Sequence, residues 1–193
     1  DNAVATGRLQ RLPHSTHDAL IAQTLLSWRA RARAALPQFL IRAETDNSPT
    51  AASLAKGVAI ENFFTAVDSL VFAAKKLGKD PKVLSVGIDY GAEDAISSQA
   101  EIEFGLRTLM STIEAGLNKR GLQKPIFMLA CEAGVAGVAN HPAILAHTRL
   151  SWLKEGHTIA IGAPGYAFER DRFGRPTPDA RLRMAEMDAH AIV

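Results

Sequence analysis

The sequence predicts an α/β domain, a three-layer α/β/α sandwich around a mainly parallel sheet of four to five strands. Three observations predict it. Apolar runs of strand length alternate four times with longer stretches whose apolar residues recur at helical spacing. The run Val83–Ile88 is apolar on both alternating faces, the pattern of a strand covered on both sides. Helix start and stop residues separate the runs.

The first element is a helix. Pro13–Asp18, PHSTHD, offers Ser15 or Thr16 as a cap, and the helix is expected to run to about Leu36, before Pro37. Phe39–Ala43 is an apolar run of strand length, and Asp46–Thr50, DNSPT, is a loop by composition. A second helix spans about Ala52–Leu77. Ile60, Phe64, Val67, Leu70 or Val71, Ala74 and Leu77 share one face, Lys75 and Lys76 suit the last turn, and Gly78 ends it.

Val83–Ile88 follows as a strand expected at the centre of the sheet. An edge position for it, or an antiparallel sheet, would overturn this topology and any family likeness argued from it. Ala95–Asn118 is a helix with Ile102, Leu106, Leu109, Ile113 and Leu117 on one face and Gly121 just past its end. Ile126–Cys131 is a strand, Glu132–Asn140 a small-residue loop, and Pro142–Lys154 a helix with His141 at its entrance. Thr158–Gly162 is a strand and Gly165–Pro176 a long polar loop. Thr177–Ile192 closes the chain as a helix, with Thr177 as cap and Pro178 in the first turn. No linker or repeat divides residues 1–193, so a single domain is expected, with the helical segment 1–37 packed on it. The sequence begins at Asp1 rather than methionine, as a processed chain or part of a longer one does.

Composition narrows the chemistry. A formal net charge of +2 gives no bias toward nucleic acid, and no apolar run approaches the ~18–20 residues of a membrane helix. Arginines cluster at Arg29, Arg31 and Arg33 and again at Arg170, Arg172 and Arg175. Either group suits an anionic sugar or phosphate, or simply a solvated face. Cys131 is the one cysteine, which excludes an internal disulfide, and the apolar run before it makes it a core residue.

No phosphate-binding loop is present. Gly134 and Gly137 fall short of a dinucleotide fingerprint, so no cofactor is expected. His14, His17, His141, His147, His157 and His190 show no metal-ligand spacing, so no metal is expected. Glu93 and Asp94 stand at the mouth of a strand. There they suit a base or a sugar hydroxyl, or act as first-turn acids facing a helix dipole. Ser48, Ser53, Ser85, Ser97 and Ser98 offer no nucleophile elbow, and capping explains Ser97 and Ser98.

Two blocks carry a family resemblance. Tyr90-Gly91-Ala92-Glu93-Asp94-Ala95 follows a strand, and Asp171-Arg172-Phe173-Gly174-Arg175-Pro176-Thr177 leads into the last helix. In order and spacing the chain from about Pro37 to Val193 resembles the SGNH (GDSL-type) hydrolases. The branch in question is that of sialate and xylan O-acetylesterases, which includes phage-associated members. Gly91, Asp94 and Ala95 fit the family's Gln-Gly-Glu-x-Asp-Ala block, whereas Tyr90 and Ala92 replace its Gln and Glu. Arg172 or Arg175 stands where the family has its catalytic histidine. The Gly-x-Ser nucleophile block has no counterpart upstream of Arg42.

The resemblance implies an esterase architecture that has turned from cutting to holding. An arginine stays protonated and accepts no proton from a hydroxyl. The expectation is therefore a domain with no catalytic residues that binds a surface glycan, O-acetylated or acidic, in a phage-like or cell-surface assembly. Asp46, Asn47, Tyr90, Glu93, Asp94, His141, Tyr166, Arg172 and Arg175 are the candidate binding residues, with Glu132 and Asn140 beside them. Asp94 and Arg175 are expected to share one pocket. Two rivals remain open: an active O-acetylesterase with its nucleophile upstream of Asp1 or on an unrecognised serine, and a structural scaffold in an oligomer.

Overall fold

The computed structural model of the chain describes residues 16–44, 50–89, 97–131, 141–153 and 155–193. Among these residues six α-helices and three strands follow in the order α1 (His17–Arg31), α2 (Ala51–Leu54), α3 (Val58–Lys76), β1 (Ser85–Ile88), α4 (Gln99–Asn118), β2 (Ile126–Cys131), α5 (Pro142–Leu153), β3 (Thr158–Pro164) and α6 (Pro178–Ile192). The α/β class is as expected. The sheet is parallel but has three strands among the described residues, in the order β1-β2-β3, rather than four or five.

The caps explain where the helices begin. Thr16 Oγ1 accepts from Ala19 N–H, and Thr177 Oγ1 accepts from Ala180 N–H, ahead of Pro178. Ser98 and Glu101 form a reciprocal capping box at the start of α4, so Ser98 is a helix cap. Two helices are shorter than their patterns. α1 ends at Arg31, not Leu36, because Arg33 takes a left-handed φ of 53° and turns the chain. The long helix expected from Ala52 breaks at Ala55–Gly57, where Gly57 caps α3.

Alternation along β2 builds the core on both faces. Phe127 and Leu129 pack with Ile88, Leu106, Met110, Ile113 and Leu150, on the side of α4 and α5. Met128 points the other way, against Ile21 and Leu25 of α1 and Ala185, Ala189 and Ile192 of α6. Helices α4 and α5 share a face, as two right-handed crossovers stepping in the same direction require. Each fully buried leucine here contributes roughly 1.5–3 kcal/mol.

Two expectations about strands are corrected. Among the described residues the central strand is β2, and β1 lies at an edge with β2 as its one partner, which counts against the family likeness as well as the expected strand order. Its exposure agrees: Gly87 is open and only Ile88 is fully buried, whereas four of the six β2 residues are buried. Apolar character on both faces therefore does not mean pairing on both edges. Phe39–Ala43 forms no strand ladder with any of the described residues. Phe39 packs on the α1/α6 side of the core, and Glu44 accepts from Asn62 of α3.

A third correction concerns composition. Ala51–Lys76 holds an 18-residue window of mean hydropathy 1.3, long and apolar enough to cross a membrane on those grounds, although no single apolar run reaches that length. Only 22% of that window is buried.

Candidate functional site

Ligands of parallel α/β sheets bind beyond the carboxyl ends of the strands. Beyond β3 the chain makes a 3₁₀ turn, Gly165–Ala167, which carries Tyr166, 38% exposed. A tight hairpin follows where a polar loop was expected. Arg170 and Pro176 form an antiparallel bridge, Thr177 N–H donates to the Glu169 carbonyl, and Asp171 N–H donates to the Arg175 carbonyl at 2.8 Å.

Asp171 organises the tip of this hairpin. Its Oδ1 accepts from Phe173 N–H at 2.8 Å and from Arg175 N–H at 3.0 Å, and Gly174 closes the turn at φ 75°. The Arg175 amide, the Phe173 amide and the charges of Arg175 and Arg181 hold the Asp171 carboxyl below its usual range. Arg170 Nη1 donates to the Gly174 carbonyl at 2.6 Å. What the hairpin presents to solvent is Arg172, Phe173 and Arg175. Phe173 is 68% exposed, with the Arg172 guanidinium 4.7 Å from its ring centre.

A second feature sits at the same end of the sheet. His17 Nε2 is 2.6 Å from Asp188 Oδ2, and Asp188 Oδ1 accepts from the Ala163 amide of β3 at 2.6 Å. Asp188 is buried and His17 partly open. Asp18 lies beside Gly87 of β1, so the amino end of α1 reaches both outer strands. These residues line one end of a cleft of about 2960 Å³, which continues past β1 between α1, residues 37–44 and α3.

The structure separates residues that the sequence grouped. Arg172 and Arg175 share the hairpin tip, but they, Tyr166 and His141 do not line the cleft. His141 sits at the entrance of α5, where its Nδ1 accepts from Ala143 N–H, a capping role. Asp46, Asn47, Tyr90, Glu93, Asp94, Glu132 and Asn140 lie outside the described residues, and so does the pairing of Asp94 with Arg175.

Cys131 is buried with Ile144 and Ile161, and burial pushes its thiol up, which suits core packing and not nucleophilic attack. His147 is 1% exposed, with Nδ1 2.6 Å from the Ala130 carbonyl, and burial pulls its pKa down. Among the described residues no cluster of three or more His, Cys, Asp or Glu side chains can hold a metal.

Three contributors escaped the sequence reading: Asp171 as the hairpin's organiser, Phe173 as its exposed ring, and the His17–Asp188 pair. The first had a signal, since Asp followed three residues later by Gly is a turn pattern. Comparison with protein-family models, with curated proteins and with solved structures returned no match for this chain.

Proposed function

We propose that this chain is a non-catalytic α/β domain that binds an acidic carbohydrate, within a phage-like or cell-surface assembly. The observation that carries the reading is the Asp171-organised hairpin, which holds Arg172, Phe173 and Arg175 out to solvent. Guanidinium groups match carboxylates in two parallel hydrogen bonds. The ring of Phe173 supplies the flat apolar face that the non-polar side of a sugar ring needs. Because the tip is fixed by backbone bonds, less conformational freedom is lost on binding. A three-layer sandwich whose sheet extends to four or five strands belongs to this proposal, and the three parallel strands are compatible with it.

A glycan array tests the reading. Sialylated and uronate-containing glycans are expected to retain the protein at low salt and to release it as salt screens the arginines. Retention of neutral glycans alone, or of none, contradicts it.

One observation favours a second reading, a hydrolase. A buried carboxylate fixed by a backbone amide and placed 2.6 Å from a partly open histidine is how a general base is oriented. Acetate release from aryl acetates separates the two. The binding reading predicts release no faster than with heat-killed protein. Turnover abolished by His17→Ala establishes the hydrolase.

A further inference from the structure

The hairpin meets the cleft at Pro176 and Arg181. Both line the cleft together with His17 and Asp188. Pro176 is the base of the hairpin, and Arg181 is the fourth residue of α6. Arg181, Met184 and Asp188 stand at i, i+3 and i+7 and all border the cleft. One face of α6 therefore leads from the hairpin to the His17–Asp188 pair.

The helix gives no reason for a cation at Arg181. A positive charge near the amino end of a helix works against its macrodipole. The acid that suits the dipole is Asp179, two positions earlier and about 200° round the helix. The Arg181 amide donates to the Thr177 carbonyl at 2.9 Å, so the backbone here is fixed. Its side chain is exposed, and among the described residues the guanidinium groups of Arg175 and Arg181 donate no hydrogen bond. Arg181 also lies close to the hairpin tip. After the Arg175 and Phe173 amides, the charges of Arg175 and Arg181 help to hold the Asp171 carboxyl down. From Arg175 to Arg181 the backbone spans at most about 13 Å, two extended steps and four of helical rise.

We infer that the glycan is an oligosaccharide with a carboxylate on more than one sugar, which runs from the hairpin tip to the mouth of the cleft and gives its second carboxylate to Arg181. The inference rests on the binding reading of the hairpin. Arg172, Phe173 and Arg175 hold the first sugar. Pro176 lies under the link between sugars, and Arg181 meets the next carboxylate in two parallel hydrogen bonds. Asp188 does not oppose an anion there. It is buried, bonded to His17 and to the Ala163 amide, and about 10 Å further along α6. Once the first sugar is anchored, the second reaches Arg181 at high effective concentration, so affinity rises with chain length.

The test titrates two probes at low salt, the methyl glycoside of sialic acid and a linear trimer of sialic acid. Wild type is expected to bind the trimer at least about tenfold more tightly than the single sugar. Arg181→Ala is expected to weaken trimer binding by about tenfold or more and to leave the single sugar and the melting temperature unchanged. Arg183→Ala removes an equal charge from an exposed position of α6 that does not line the cleft, and is expected to change neither. A trimer bound no better than the single sugar overturns the inference. So does a trimer advantage that survives Arg181→Ala, or one lost equally in Arg183→Ala. In those cases binding that still disappears in the double variant Arg172→Ala, Arg175→Ala leaves the hairpin reading standing. Failure of wild type to bind either probe overturns both.

Discussion

His17 and Asp188, 171 positions apart in sequence, meet at 2.6 Å and join the first turn of α1 to α6. Trp28 and His190 stack at 4.3 Å between the same two helices. The chain's first and last described helices thus close over one face of the sheet, and they do so at the carboxyl end of β3, through the bond from Ala163 N–H to Asp188.

The buried end of this link dominates its energetics. His17 is 39% exposed, so solvent screens its share. The Ala163 amide is buried and depends on Asp188. Asp188→Ala is expected to cost about 3 kcal/mol, because it leaves that amide unpaired. Asp188→Asn, whose carbonyl oxygen still accepts, is expected to cost about 1 kcal/mol. Urea denaturation of both variants checks the order. Equal losses would show that the bond to Ala163 is not what matters.

Acid sensitivity is expected from His147. Burial holds its pKa below 6.5, against the upward pull of the Ala130 carbonyl. As pH falls, the unfolded chain takes up this proton first. Stability from His147 is therefore full above the unfolded value and is lost as pH drops below it, toward the folded value. His147→Leu should flatten the stability profile between about pH 7 and pH 5 relative to wild type. An unchanged slope would assign the acid sensitivity elsewhere. Glu114 acts at more acid pH. Burial raises its pKa, but the bonds from His157 and Lys124 outweigh this and hold it below 4.5.

The hairpin can be loosened without touching its arginines. Asp171→Ala removes the acceptor for Phe173 and Arg175, whereas Asp171→Asn keeps an oxygen in place. The alanine variant is expected to bind acidic glycan several-fold more weakly at unchanged melting temperature, and the asparagine variant to bind nearly as wild type. If both bind as wild type, fixing the tip in advance contributes nothing to affinity.

Much of the fold was legible in the sequence because local signals were strong. Thr16, Ser98 and Thr177 are caps by residue type, and Ile102, Leu106, Leu109, Ile113 and Leu117 fix the buried face of α4 by spacing alone. The strands Ile126–Cys131 and Thr158–Pro164 were visible as apolar runs. Sheet order was not, because burial on two faces and pairing on two edges leave the same apolar pattern. Val83–Ile88 reads as central and sits at an edge among the described strands. The site was less legible still. Arg172 and Arg175 were found by charge and the family resemblance, and the hairpin that presents them by neither. Asp188 offered no local sign, since its partners His17 and Ala163 come together only when helices pack on the sheet.

The central claim is that the hairpin holds an acidic sugar. It is tested most directly by titrating a sialylated oligosaccharide into wild type and into the double variant Arg172→Ala, Arg175→Ala at low salt. Charge-assisted hydrogen bonds contribute about 1.5–3 kcal/mol each. The account therefore predicts an affinity at least about tenfold weaker in the variant, with the melting temperature unchanged. Equal affinity in the two proteins, or no binding by wild type, would contradict it.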